Sequence, residues 1–212
     1  LVRVIQMKSE TIKKELFSWG KACVIGLFFA FLVSALVVQP FTVKGSSMEP
    51  TLDGEDIWTS KDDGDKVLIF KSGYMVGIDP KYNDIVVIDS RVERERSLTD
   101  NFKESPLINA LLDETQGNNY WIKRVIGVEG DKLEYRGGTV YRNGEALVEE
   151  YIQEEMLFPF DEVTVPEGHV FVMGDNRNES RDSREIGSIP KENVMGKVVL
   201  RYFPFNRVDT LK

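Results

Sequence analysis

From Ala22 to Val38 the chain runs for 17 residues with Ser34 as the only clearly polar member. No other stretch constrains the fold as strongly. Its length is near the lower limit for a helix that crosses a bilayer, and Gln39-Pro40 marks its end. Lysines precede the run, and none falls within five residues after Val38. The positive-inside rule then puts the N-terminus in the cytoplasm and residues 41–212 outside. Two other readings compete. A cleaved secretory signal would use Val33-Ser34-Ala35 as its small-residue site, but Leu36-Val37-Val38 continue the apolar run where a polar region should begin. A buried core helix would not explain the flanking charge asymmetry. The reading adopted is a cytoplasmic segment (residues 1–21), an uncleaved transmembrane anchor (22–39) and an extracytoplasmic body (40–212).

Charge is divided along the same boundary. Residues 1–40 carry a net charge of +3, so the remaining residues hold −11 of the overall −8. An acidic body argues against nucleic-acid binding, which needs a basic footprint. Cys23 and His169 are the single cysteine and the single histidine. An intrachain disulfide and a multi-His metal site are therefore excluded, and no zinc-type Cys/His spacing exists. No metal or cofactor is expected, and nothing implies an oligomer.

Beyond the anchor the pattern changes to short β-rich runs: Ile57–Ser60, Lys66–Phe70, Asp84–Asp89, Tyr120–Ile126, Lys132–Tyr135, Thr139–Arg142, Val163–Val165, His169–Met173 and Lys197–Phe203. Gly137-Gly138 and Asn143-Gly144 are tight-turn signals. Many short strands with frequent turns predict a mainly β fold, an antiparallel sheet or barrel. Residues 91–119 are charged and read as a surface insertion, with a helical candidate at Pro106–Thr115.

Three polar stretches bear chemistry. Val43-Lys44-Gly45-Ser46-Ser47-Met48-Glu49-Pro50-Thr51-Leu52 places two serines between a flexible glycine and a stiffening proline. Such a segment suits an outward-facing nucleophile, and equally a polar turn whose serines bond their own backbone. Tyr120-Trp121-Ile122-Lys123-Arg124-Val125-Ile126-Gly127 reads as a strand. Lys123 would share a face with Trp121 and Val125, and Arg124 the other with Ile122 and Ile126. Burial lets a lysine lose its proton and act as a base, whereas arginine keeps its proton and needs a carboxylate. From an edge strand both side chains would instead snorkel to water. Gly174-Asp175-Asn176-Arg177-Asn178-Glu179-Ser180-Arg181-Asp182-Ser183-Arg184 follows a predicted strand. It fits either a loop that orients a base or a solvated turn. His169, within a strand, reads as structural.

In this order, behind an N-terminal anchor, the three stretches resemble the bacterial type I signal peptidases. Ser47-Met48-Glu49-Pro50-Thr51-Leu52 resembles the family's nucleophile box. Ile122-Lys123-Arg124-Val125-Ile126-Gly127 with Gly130-Asp131 resembles its lysine box, and Gly174-Asp175-Asn176-Arg177 through Arg184 its third box. Gly54-Glu55 and Asp84-Ile85-Val86-Val87 are weaker matches. The resemblance implies Ser47 as nucleophile, Lys123 as general base and Ser180 as the hydroxyl orienting the lysine. It implies ion pairs Asp182–Arg184 and Asp175–Arg124, and an oxyanion hole using the Ser47 backbone N–H near Gly45. Gly45 stands where some relatives carry a hydroxyl donor, and Glu129 where a proline is usual.

The implied fold is a β core with a small β cap at about 132–166. The implied activity is removal of signal peptides from preproteins with small residues at −1 and −3, at the plasma membrane. Phe41, Met48 and Tyr202-Phe203-Pro204-Phe205 suit either contact with the bilayer surface or core packing. A self-cleaving Ser/Lys repressor-type protease would carry a DNA-binding N-terminal domain instead of an anchor. An anchored binding module without catalysis would not need Ser47, Lys123 and Ser180.

Overall fold

The computed structural model describes residues 2–55, 64–75, 77–105, 108 and 119–211. The N-terminal helix, α1 (Val2–Leu36), starts before the apolar run and ends two residues short of it. Its apolar part, Ile12–Leu36, has 25 residues and a mean hydropathy of 2.0. At 1.5 Å per residue it is about 38 Å long, more than the roughly 30 Å of a hydrocarbon core. Pro40 explains the early end, because a proline ring clashes with the carbonyl four residues back, here that of Leu36.

After Val37 the chain enters β1 (Val38–Thr42). Val38 and Gln39, expected in the anchor, therefore belong to a sheet. Pro40 is tolerated because β1 is an edge strand. Gln39 is buried, and its Oε1 accepts a 2.9 Å hydrogen bond from the buried Lys71 Nζ.

The chain is mainly β. One sheet contains β1, β2 (Lys66–Phe70), β3 (Ile85–Asp89), β4 (Tyr120–Val128), β9 (His169–Met173), β10 (Ile189–Pro190) and β11 (Val194–Phe203), in the order β1-β2-β11-β3-β4-β9-β10. A further strand, β12 (Asp209–Thr210), pairs with β11. A smaller sheet has β5 (Lys132–Arg136), β6 (Thr139–Arg142), β7 (Glu145–Ala146) and β8 (Val163–Thr164) in the order β7-β6-β5-β8. Every strand pairing in both sheets is antiparallel. The predicted runs at Lys66–Phe70, Thr139–Arg142 and His169–Met173 coincide with strands, and β11 begins three residues before Lys197. Ile57–Ser60 lies outside the described residues. Gly137, Gly138, Asn143 and Gly144 all have positive φ, as the tight turns flanking β6 require.

Strand alternation supplies three apolar clusters. The first gathers Phe41, Val43, Met48, Leu52, Val67, Ile69, Ile85, Val87, Met195 and Val198. Phe41 and Met48 are thus core residues, which removes them from any contact with a bilayer surface; Phe205 remains 83% exposed. The second cluster lies on the other face of β3 and β4, with Val86, Ile88 and Val125. The third joins the two sheets through Ile126, Leu133, Val140, Met156, Val165, Phe171 and Met173. Fully burying one such aliphatic or aromatic side chain contributes about 1.5–3 kcal/mol.

The stretch from Arg91 to Ser105 is more than a surface insertion. Its Arg96 is buried and bonds Asp89 at 3.1 Å and Glu104 at 2.7 Å. After the one-turn helix α2 (Ser72–Met75), a short helix, α3 (Leu98–Lys103), opens with a capping box in which Asp100 accepts from the Ser97 N–H at 2.9 Å. Phe102 on α3 lies 6.0 Å from Phe31 of α1, ring centre to ring centre. Of the helical candidate Pro106–Thr115, all but Ile108 lies outside the described residues.

Candidate active site

The serine turn follows from two glycines. Gly45 has φ +72°, a conformation that favours glycine. Gly54 packs against it so closely that a Cβ there would stand 1.9 Å from the Gly45 oxygen. The Gly45 N–H donates to the Glu55 carbonyl at 3.2 Å, and the Leu52 N–H to the Met48 carbonyl at 2.9 Å. Met48 and Leu52 sink into the first cluster, leaving the Ser47 hydroxyl towards a cavity of about 250 Å³. The Ser47 carbonyl accepts from the Asn176 N–H at 3.1 Å. No described residue accepts from the Ser47 N–H.

β4 carries the lysine. Its Tyr120–Arg124 half pairs with β3 on one side, and β9 covers the other side only from Arg124 onward. Lys123 is paired with Val86, packs near Trp121 with Nζ 5.8 Å from the ring centre, and is 3% exposed. Trp121, Val125 and Val86 belong to one cluster, so the alternation expected from sequence places Lys123 on an apolar face. Lys123 Nζ lies 2.7 Å from Ser47 Oγ. Burial lowers the Lys123 ammonium to about 8, although Asp182 and Asp175 favour its charged form. On the opposite face Ile122 packs on the first cluster, but Ile126 joins the third, because a bulge between Val125 and Gly127 shifts the register.

The loop after β9 surrounds this pair. Gly174 is wedged so tightly that a Cβ would stand 2.3 Å from Ser180 Oγ and 2.4 Å from the Ser47 oxygen. Ser180 Oγ is buried without a hydrogen bond of normal geometry, yet close enough to Asp182 to favour that group's carboxylate form. Asp182 caps the short helix α4 (Ser183–Ile186) and accepts from the Gly174 N–H at 3.0 Å. Arg184 grips it through Nε and Nη2, both at 2.8 Å. Burial pushes Asp182 up, but the Arg184 bonds prevail and hold it below the usual carboxylate range.

Asp175 takes Arg124 Nε at 2.8 Å and Nη2 at 2.6 Å, with both side chains buried. Both ion pairs named from the sequence are therefore formed. His169 is not brought to the site. It opens β9, with Nδ1 2.7 Å from the Glu167 carbonyl, and four strand steps of about 3.3 Å separate it from Met173.

Other residues join that the sequence reading did not single out. Thr51 Oγ1 donates to Asp175 at 2.5 Å. Arg124 Nη1 donates to Asn83 Oδ1 at 3.0 Å, and its guanidinium lies 3.9 Å from the Tyr151 ring centre. Arg177 donates to Glu149 through Nη1 and Nη2 at 2.9 and 2.6 Å. The φ of +72° at Asn83 is foreshadowed by an Asn-Asp turn signal; Glu149 and Tyr151 have no comparable local cue.

The cavity runs between the stretch Phe41–Lys44, continuing the edge strand β1, and the Tyr120–Lys123 side of β4 that β9 leaves uncovered, with Ser47 and Val87 also lining it. Phe41 and Tyr120 meet edge to face across it at 6.3 Å. An amine whose proton is loosened by burial, beside a hydroxyl at the end of a groove with free strand edges, suits acyl transfer on an extended peptide.

The family described as "Signal peptidase, peptidase S26" matches residues 16–203. A signal peptidase I of Bacillus licheniformis is 34% identical over 212 residues, covering 95% of this chain and 96% of the relative. A signal peptidase IB of Staphylococcus aureus is 30% identical over 213 residues, covering 92% and 93%. A solved signal peptidase I from Enterococcus faecalis is 29% identical, with a TM-score of 0.40, and covers 56% of this chain and 96% of that one. The chain belongs to the signal peptidase family, peptidase S26, and is a serine endopeptidase.

Proposed function

We propose that this enzyme is anchored in the plasma membrane by α1 and removes signal peptides from exported preproteins with a Ser47/Lys123 dyad. The observation that carries the reading is the 2.7 Å contact between Lys123 Nζ and Ser47 Oγ at a buried amine. Neutral Lys123 takes the Ser47 proton as Oγ attacks the scissile carbonyl. The resulting ammonium returns the proton to the leaving amine. Lys123 then activates the water that hydrolyses the acyl-enzyme. The Ser47 N–H faces the oxyanion that develops on the attacked carbonyl. Ser180 is read as the hydroxyl that orients the amine, while Asp182–Arg184 and Asp175–Arg124 brace the loop behind it. The smaller sheet is read as the cap. The preprotein lies extended between the edges of β1 and β4, and its small −1 and −3 side chains fill shallow pockets in the groove.

The test is kcat/KM on a purified preprotein for folded variants. Ser47→Ala, Lys123→Ala and Lys123→Arg should each lose activity by roughly 10³-fold or more, because the pair acts as a unit and guanidinium keeps its proton. His169→Ala should stay near wild type. A preprotein with Phe at −1 should be nearly uncleaved. An active Lys123→Ala, or a dead but folded His169→Ala, overturns the dyad.

A further inference from the structure

The segment between β7 and β8 is fastened to the smaller sheet at two points. The Leu147 N–H donates to the Val140 carbonyl at 2.9 Å, and the buried Met156 accepts from Tyr135 Oη through its carbonyl at 3.0 Å. Between these points it reaches the loop behind Ser47. Glu149 and Arg177 form a two-pronged ion pair, their side chains only 6% and 2% exposed. Tyr151 Oη donates to Glu149 at 2.6 Å while its ring covers Arg124. Further along, Asn178 accepts from the Leu157 N–H at 2.9 Å and donates to the Glu155 carbonyl at 3.1 Å.

Arg177 does not stop at Glu149. Its Nε donates to the Gly174 carbonyl at 3.1 Å, and its own carbonyl accepts from Arg184 Nη2 at 2.7 Å. Gly174 is the residue jammed between Ser180 Oγ and the Ser47 oxygen. Asn176, next to Arg177, holds the Ser47 carbonyl. An Arg–carboxylate fork fixes direction as well as distance, so Glu149 sets the guanidinium plane from which Nε meets Gly174.

We infer that Glu149, with Tyr151, is a positioning residue that aligns Ser47 through Arg177 and Gly174. This rests on the reading of Ser47 and Lys123 as the reacting pair. The strap touches neither of them, so its loss should alter turnover more than substrate binding.

Full-length enzyme in detergent is assayed on a preprotein. Glu149→Gln should lower kcat on the order of tenfold with KM within about twofold. Glu162→Gln, which breaks an exposed pair with Lys132 of the smaller sheet, should match wild type. The double variant Glu149→Leu/Arg177→Met replaces the buried pair with apolar side chains, which commonly preserves or raises stability. Its thermal midpoint should equal or exceed wild type while kcat stays down on the order of tenfold, because Gly174 has lost its Nε donor. Tyr151→Phe, which keeps the ring, should lower kcat by about threefold.

A Glu149→Gln kcat within about twofold of wild type overturns the inference. So does a double variant that recovers kcat together with stability. If Glu149→Gln does not fold, an unchanged kcat in Tyr151→Phe overturns it. Ser47→Ala in the same assay separates the two claims. Activity there sinks the dyad whatever Glu149 does, whereas a dead Ser47→Ala beside a wild-type Glu149→Gln sinks only the strap.

Discussion

Lys123 is held where a charge is unwelcome, and that has two measurable consequences. With an ammonium lowered to about 8, the neutral form required of a base grows about tenfold per pH unit below that value. The kcat/KM of the enzyme should rise with pH and level off above about 8; a profile flat from pH 6 to 9 would remove Lys123 as the titrating base. The same shift opposes folding. A lysine that titrates at 10.5 when unfolded and at about 8 when folded binds more protons in the unfolded state between those values. Stability therefore rises with pH across that window, and at neutral pH the shift costs about 3 kcal/mol. Lys123→Met should be inactive yet more stable at pH 7, by about 2–3 kcal/mol in denaturant titration. That advantage should shrink as pH approaches 10.5.

Strand alternation in the sequence put Lys123 beside Trp121 and Val125 but left an exposed edge equally open, and the match to the lysine box singled it out. The pairing of Arg124 with Asp175 came from the same resemblance, since the loop 174–184 offers Glu179 and Asp182 as carboxylates too. Thr51 and Glu149 were not legible in the sequence. Their partners lie 124 and 28 residues away, and no local period encodes such a contact.

At the scale of elements, β1 was hidden because its residues extend an apolar run that already read as helix; only Pro40 hints at the change. The β4 bulge was equally silent, so Ile126 was placed on a face it leaves. The strands themselves were visible because alternation and Gly or Asn turns are local signals. Where β9 runs into the loop behind Ser47, Gly174 leaves no room for a side chain. A Cβ 2.4 Å from the Ser47 oxygen must move backbone rather than a flexible side-chain tip. Gly174→Ala should therefore lower kcat by roughly 100-fold and stability by about 1–3 kcal/mol. Gly174→Ala/Ser180→Gly should not restore activity, since the clash with Ser47 remains. Wild-type kcat in either variant would show that the loop yields freely.

For the whole molecule, charge and hydropathy agree on one arrangement. The basic residues precede the apolar run Ala22–Val38 and the acidic body follows it, the pattern expected if the N-terminus lies in the cytoplasm. Protease added to intact spheroplasts should degrade the body beyond residue 41 and leave a helix-sized fragment; full protection of the body would overturn that topology.

The joint between α1 and β1 is a single residue, Val37, whose N–H still bonds the Val33 carbonyl at 2.8 Å. Its own carbonyl accepts from the Lys71 N–H at 2.8 Å, so helix and sheet share a hinge with little play. With α1 in a bilayer as proposed, Ser47 is carried on a short stiff arm rather than a leash. Its altitude above the lipid is set by the strand, and meeting a substrate becomes a search in two dimensions.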